Sequence, residues 1–234
     1  MQEILDSRDP VDNMTHPYEK RPKGQHLIWI SGQPLAGKTT TSHMIAKKKD
    51  FVSYEGDFFI GHFNPYMDLK TENALDVFFG KKPLKGISKE RFQVCKEAWG
   101  PTSFKKVATG ENCTEGKNLY RLMCNEIKTE REKIGGNWIV NQAVSIKEYR
   151  DVAREVLGPD LKFVILTLDE SEKEKRIKKR HGSVNDGVMN YLKELQSLYK
   201  PSEPEELNTF NILITEEMTP EDVAAAILEK CQID

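Results

Sequence analysis

Residues Gly32-Gln33-Pro34-Leu35-Ala36-Gly37-Lys38-Thr39 fit the pattern G-x-x-x-x-G-K-[ST]. They stand between a short apolar block, HLIWIS at 26–31, and a helix-like stretch from Lys38 to Lys48. No other feature of the chain constrains its fold as strongly. The glycines let the backbone wrap closely around phosphate oxygens, while successive N–H groups and the helix N-terminus supply partial positive charge. By average residue usage the pattern arises by accident on the order of once per hundred chains of this size, before the strand and helix context is imposed. The expected contacts to a nucleotide are therefore Gly32, Gln33, Pro34, Leu35, Ala36, Gly37, Lys38, Thr39 and Thr40. Lys38 would reach the outer phosphates, the Thr39 hydroxyl would ligate Mg2+, and Thr40 would donate to an inner phosphate.

The rest of the chain repeats the alternation of strand and helix. Short apolar strand candidates recur at 51–55 (FVSYE), 137–144 (NWIVNQAV), 161–168 (LKFVILTL) and 210–215 (FNILIT). Helical stretches fall between them at 118–133, 146–157, 172–181 and 190–199. A last helix opens at Thr219-Pro220-Glu221-Asp222, with Thr as N-cap and Pro at the first helical position. Apolar strands alternating with helices predict a three-layer α/β fold: a parallel sheet of about five strands, helices on both faces. Residues 1–25 are polar, carry three prolines and are expected to form a flexible tail. Residues 26–234 are expected to form one domain, in keeping with a length of 234 residues.

The second strand ends in acids. Strand C-terminal ends line the ligand crevice of a doubly wound fold, so Glu55 and Asp57, separated by Gly56, are expected to face the phosphates. Asp57 would accept a proton from an attacking hydroxyl and contact the substrate bearing it; Glu55 would hold a metal-bound water. Further along, Arg176 and Arg180 lie four residues apart on one helix face. They suit a mobile basic lid, at about 176–190, that surrounds a migrating phosphoryl group and excludes water.

ISGQPLAGKTT followed by YEGD resembles the small-metabolite kinases of the gluconokinase and shikimate kinase group, within the adenylate kinase-like P-loop kinases. The likeness to gluconokinase continues in GKKPLKG at 80–86, in the YRD segment and following strand and helix at 147–182, and in LYKPSEPEE. It implies a P-loop kinase fold and transfer of the γ-phosphate of ATP, with Mg2+, to a hydroxyl of a small metabolite. It also implies that Arg176 stacks on adenine and that Arg180 contacts phosphates and acts in catalysis. That family carries an Asp-x-Asp pair where this chain has Glu55 and Asp57, and it has a Ser-Ala-Leu-Lys stretch where this chain reads Ala143-Val144-Ser145-Ile146. An insertion at about 60–135 is expected to form part of the acceptor pocket. Lys85, Arg91 and Arg150 are the candidates for holding an anionic acceptor. A nucleoside monophosphate or adenylyl sulfate kinase is the alternative enzyme, and a nucleotide-binding regulator the alternative of a different class.

Charge and cysteine usage bound the remaining classes. With 35 Lys and Arg against 37 Asp and Glu, the net charge of −2 gives no general reason to expect nucleic acid or a membrane surface as partner. The longest apolar runs are far shorter than the roughly 20 residues a membrane span needs. Four cysteines form no C-x-x-C pair, and the N-terminus shows no secretory signal, so reduced thiols in a cytoplasmic protein, monomer or homodimer, are expected.

Overall fold

The structure, a computed structural model, describes residues 21–56, 97, 104–111, 113–181, 186–199 and 201–233. Strand β1 (Lys23–Gly32) leads into helix α1 (Lys38–Lys49) and strand β2 (Val52–Glu55). Helices α2 (Phe104–Thr109) and α3 (Cys113–Ile134) precede strand β3 (Gly136–Asn141) and helix α4 (Lys147–Leu157). Strand β4 (Lys162–Leu168), helices α5 (Glu170–His181) and α6 (Asp186–Ser197), strand β5 (Thr209–Ile214) and helix α7 (Pro220–Lys230) complete the order. The strands form one sheet in the order β2-β3-β1-β4-β5, and all four neighbouring pairs are parallel. This is the expected architecture.

Alternation along β1 builds a core on each face. Leu27 and Trp29 pack with Met123, Ile127, Tyr149 and Val152 of α3 and α4. Ile28 and Ile30 pack with Ile45 of α1 and with Val223 and Ile227 of α7. β1 is the central strand, buried on both sides from Leu27 to Gly32, which is why its sequence reads as an unbroken apolar run. Each fully buried large side chain here contributes roughly 1.5–3 kcal/mol relative to exposure.

Two boundaries differ most from the sequence expectation, each for a physical reason. The sheet begins at Lys23, inside the stretch expected to be tail. The Arg21 amide donates to the Ile134 carbonyl (2.6 Å), the Gly136 amide donates to Pro22 (2.8 Å), and Lys23 pairs with Gly136. These residues lie at the partly exposed N-terminal end of the sheet, so backbone pairing rather than apolar side chains holds them. α3 starts at Cys113 instead of Asn118. Gly116, a poor helix former, is there because the Tyr149 ring lies against it: a Cβ would stand 2.2 Å from the Tyr149 hydroxyl oxygen. Residues 113–134 of the expected acceptor-binding insertion thus form a core helix. The rest of that insertion, apart from residue 97 and α2 with its following turn, lies outside the described residues, as does the tail before residue 21. α7 begins as predicted, with a capping box in which Thr219 and Asp222 satisfy each other's backbone amides.

Arg150 is an internal counter-charge instead of an exposed anion receptor. Its Nε donates to Glu206 at 2.7 Å and its Nη2 binds the other carboxylate oxygen, with both side chains almost fully buried. Arg154, one turn along α4, adds a second guanidinium 3.7 Å from the same carboxylate and covers the Phe163 ring. Burial pushes the Glu206 carboxyl up, but the hydrogen bonds and charge of Arg150 outweigh it and leave the group below its ordinary range.

A carboxyl held low in the folded state adds stability above its unfolded pKa, near 4.3, and that stability is lost as pH falls through the folded value. Glu206→Gln strands the buried Arg150 charge and should cost about 3–5 kcal/mol, lowering the melting temperature by roughly 10 °C at neutral pH. Thermal denaturation from pH 7 to pH 3 should show the difference from wild type shrinking toward the acid end.

Candidate active site

The loop residues 32–40, Glu55 and Arg176 gather at the C-terminal edge of the sheet, where β1, β2, β3 and β4 end. Gly32 closes β1 at φ 122°, a conformation only glycine adopts readily, and a Cβ there would stand 2.0 Å from the Leu166 carbonyl of β4. The Gln33 amide donates to that same carbonyl (2.9 Å), fastening the loop to the neighbouring strand as it leaves the sheet. A turn closed by the Ala36 amide on the Gln33 carbonyl (3.2 Å) and the left-handed Leu35 (φ 68°) then bring the chain to Gly37, which caps α1. No side chain caps this helix and no acid stands in its first turn. The first amides of α1 are thereby left for an anion seated in the loop. Lys38 arches back across the loop, its Nζ donating to the carbonyls of Gly32 (3.1 Å) and Gln33 (2.9 Å). Thr39 and Thr40 are exposed at the mouth, while Thr41 and Ser42 turn inward.

β3 contributes a residue that the sequence reading did not single out. The Asn141 Nδ2 donates to the Thr39 hydroxyl at 2.8 Å. Asn141 is buried at the last position of β3, paired in register with Ile30 on one side and Glu55 on the other. The segment after it is tightly held. The Trp29 indole donates to the Gln142 carbonyl (2.9 Å), the Tyr120 hydroxyl to Ala143 (2.5 Å), and the Ser31 hydroxyl both accepts from the Val144 amide (2.7 Å) and donates to its carbonyl (3.1 Å). The Gln142 side chain packs on Gly56, where a Cβ would meet its Cβ and Oε1 at 2.6 Å, and that Oε1 is buried with no hydrogen-bond partner. The polar end of an otherwise apolar strand, Asn141-Gln142, was the available signal for both residues.

α5 brings Arg176 to the loop. Its Nη1 donates to the Leu35 carbonyl at 3.3 Å and its Nε to Glu172 at 2.6 Å. The hydrogen bond from Arg176 holds the Glu172 carboxyl below its ordinary range, so the acid stays charged and the guanidinium stays oriented. Asp169 is likewise lowered by the Glu172 amide and the Ser171 hydroxyl, which it receives at the start of the same helix. Arg180 lies one turn further along α5. Asp57, Lys85 and Arg91 lie outside the described residues, and the expected lid is described except at 182–185. Among the described residues no three or more His, Cys, Asp or Glu side chains cluster as a metal cage.

The chain has the three-layer α/β fold of the P-loop kinases. A sugar kinase from Janibacter sp. HTCC2649 superposes with a TM-score of 0.55 and 18% identity, covering 89% of this chain and 95% of that one. A gluconokinase from Sinorhizobium meliloti 1021 gives 0.53 and 17%, over 90% and 93% of the two chains. TT1252 from Thermus thermophilus gives 0.50 and 12%, over 89% and 98%. At these identities the likeness is one of fold. The sequence matches no protein-family model and no curated protein.

Gly32→Ala should force β1 and β4 apart at the loop's root. The expected outcome is a loss of about 1–3 kcal/mol of stability from the unfavourable φ, with the clash against Leu166 adding to it, together with loss of binding to inorganic triphosphate, measured by denaturant melts and calorimetric titration.

Proposed function

We propose that this chain is an ATP-dependent phosphotransferase that carries the γ-phosphoryl group to a hydroxyl of a small metabolite. The observation that carries the reading is the loop at 32–39. Its helix N-terminus has no side-chain cap, Lys38 lies over its carbonyls, and Thr39 is oriented from behind by Asn141. Glu55 at the end of β2 and the arginines of α5 would add groups that transfer chemistry needs around such a cradle.

The loop amides and Lys38 would hold the β- and γ-phosphates. Mg2+ keeps several of its own waters and takes few protein ligands, so a single exposed hydroxyl, held in place by a buried amide, fits it. Thr39 would be that ligand, with Glu55 holding a metal-bound water. Bound with the nucleotide, the ion neutralises charge on the phosphate oxygens. Asp57 takes the proton of the acceptor hydroxyl as the acceptor oxygen bonds to the γ-phosphorus. The bond from that phosphorus to the bridging oxygen breaks, and ADP leaves with the electron pair. Arg176, and Arg180 one turn on, would offset the charge of the migrating group; Arg176 would also stack on the base.

Lys85 and Arg91 remain candidates for an anionic acceptor. A cytoplasmic setting suits both ATP and the thiols: burial pushes Cys231 up to about 12 and Cys124 higher still, so neither is reactive. No described helix is long and apolar enough to cross a membrane. Retention of Lys38, Thr39 and Asp57 argues for a working enzyme over a regulator that only binds nucleotide.

ADP release measured over a panel of sugar acids, polyols and nucleotides should depend on one acceptor class; no acceptor-dependent turnover would leave the regulator reading in its place. Lys38→Met should abolish turnover. Asp57→Asn should lower kcat by about 10²–10⁴ while ATP affinity stays within roughly threefold, and unchanged kcat would remove Asp57 from the proton transfer.

A further inference from the structure

The phosphate loop is held from outside by a pair of glutamines that the transfer chemistry does not call on. Gln33 lies within the loop, yet its side chain turns away from the cradle and is buried. Its Oε1 accepts from the Leu168 amide at the end of β4 (2.7 Å), and its Nε2 donates to the Gln196 carbonyl in the last turn of α6 (3.1 Å). Gln196, only 1% exposed, returns the contact, its Nε2 donating to the Pro34 carbonyl at 3.3 Å. The Oε1 of Gln196 is buried with no partner. Burying an unmet acceptor is unfavourable, so what the amide offers at this position is its donor.

That donor meets the loop at its most consequential point. A trans peptide directs its carbonyl and its N–H to opposite sides, and none of the peptide bonds here is cis. Drawing the Pro34 carbonyl outward to Gln196 therefore turns the Leu35 amide the other way. Arg176 draws the next carbonyl, that of Leu35, toward α5. A loop that binds anions must keep its carbonyls off the anion and its amides on it, and an unsupported turn would gain by flipping such peptides.

We propose that Gln33 and Gln196 form a reciprocal latch that fixes the peptide orientation of the phosphate loop, with Gln196 a positioning residue for the polyphosphate of the bound nucleotide. The inference rests on the phosphotransferase reading only in taking this loop as the polyphosphate site. The latch makes phosphate affinity depend on the seating of α6, an element more than 150 residues away in sequence.

The test is calorimetric titration of the full chain with ATP and, separately, with inorganic triphosphate. Gln196→Ala should weaken both ligands by a similar factor, about 3- to 10-fold, because the loss lies in the phosphate cradle and not at the base. Gln196→Glu gives a readout that packing alone would not move. As a carboxylate it has no donor for the Pro34 carbonyl, and as a buried acid with a raised pKa it regains one on protonation. Its affinity relative to wild type at each pH should thus recover as pH falls from 8 to 5.5, while the ratio for Gln196→Ala stays flat. Wild-type binding of both ligands with unchanged affinity in the two variants would overturn the latch alone. A loss in Gln196→Glu that stays constant across pH and parallels a fall in melting temperature would also overturn it, reducing the residue to packing. Failure of the wild-type chain to bind either ligand would overturn the latch and the phosphotransferase reading together.

Discussion

A loop can offer its amides to an anion only if its carbonyls are satisfied somewhere else, and much of this molecule is arranged around that condition. The carbonyls of Gly32 and Gln33 are taken by Lys38, that of Pro34 by Gln196 and that of Leu35 by Arg176. The supporting groups come from three helices, α1, α6 and α5. Each is in turn anchored: α1 in the core through Ile45, α5 by its fully buried Ile177, and α6 through Gln33 to the end of β4. On the proposed reading, phosphate affinity is a property of the whole C-terminal edge of the sheet, even though the loop amides and Lys38 that would hold the β- and γ-phosphates lie within a few positions of one another.

The sheet supplies the rigid frame for that edge. Because β1 lies between β3 and β4, the residue that ends β1, the residue that ends β3 and the start of the loop are fixed relative to one another by backbone ladders in register. Asn141 reaches Thr39 for this reason, across about a hundred residues of sequence. The segment after β3 leaves the sheet under three side-chain anchors from Trp29, Ser31 and Tyr120, which couple the core to the site. At the β5 edge the sheet is thinner. Ile212 and Ile214 face the α7 core, whereas Leu213 is more than half exposed on the other face.

The elements were legible where local chemistry decided them. The G-x-x-x-x-G-K-T pattern placed the loop, the apolar run of 26–31 placed the central strand, and Thr219-Pro220 placed the last helix. What the sequence did not disclose was decided by partners distant along the chain. Arg150, beside Lys147, Asp151 and Arg154, reads as a candidate for holding an anionic acceptor; only the approach of Glu206, 56 residues on, makes it an internal charge. Gln196 reads as one polar position on an amphipathic helix, and its bond to Pro34 spans 162 residues. Gly116 reads as a helix breaker until the Tyr149 ring is seen to need its space. Polar residues carry no periodic signal of their own, so their pairings become visible only when the fold brings them together.

The identity of Asn141 bears on where charge must sit during transfer. In many nucleotide-binding loops of this kind a carboxylate on a neighbouring strand backs the metal-binding hydroxyl. Here the group behind Thr39 is a neutral amide, buried at the end of β3, where an unpaired carboxylate would be costly. On the proposed reading, the negative charge that draws a divalent cation then comes from the phosphates themselves and from Glu55, which is paired in register with Asn141. The longer reach of Glu relative to Asp suits a ligand that acts through water.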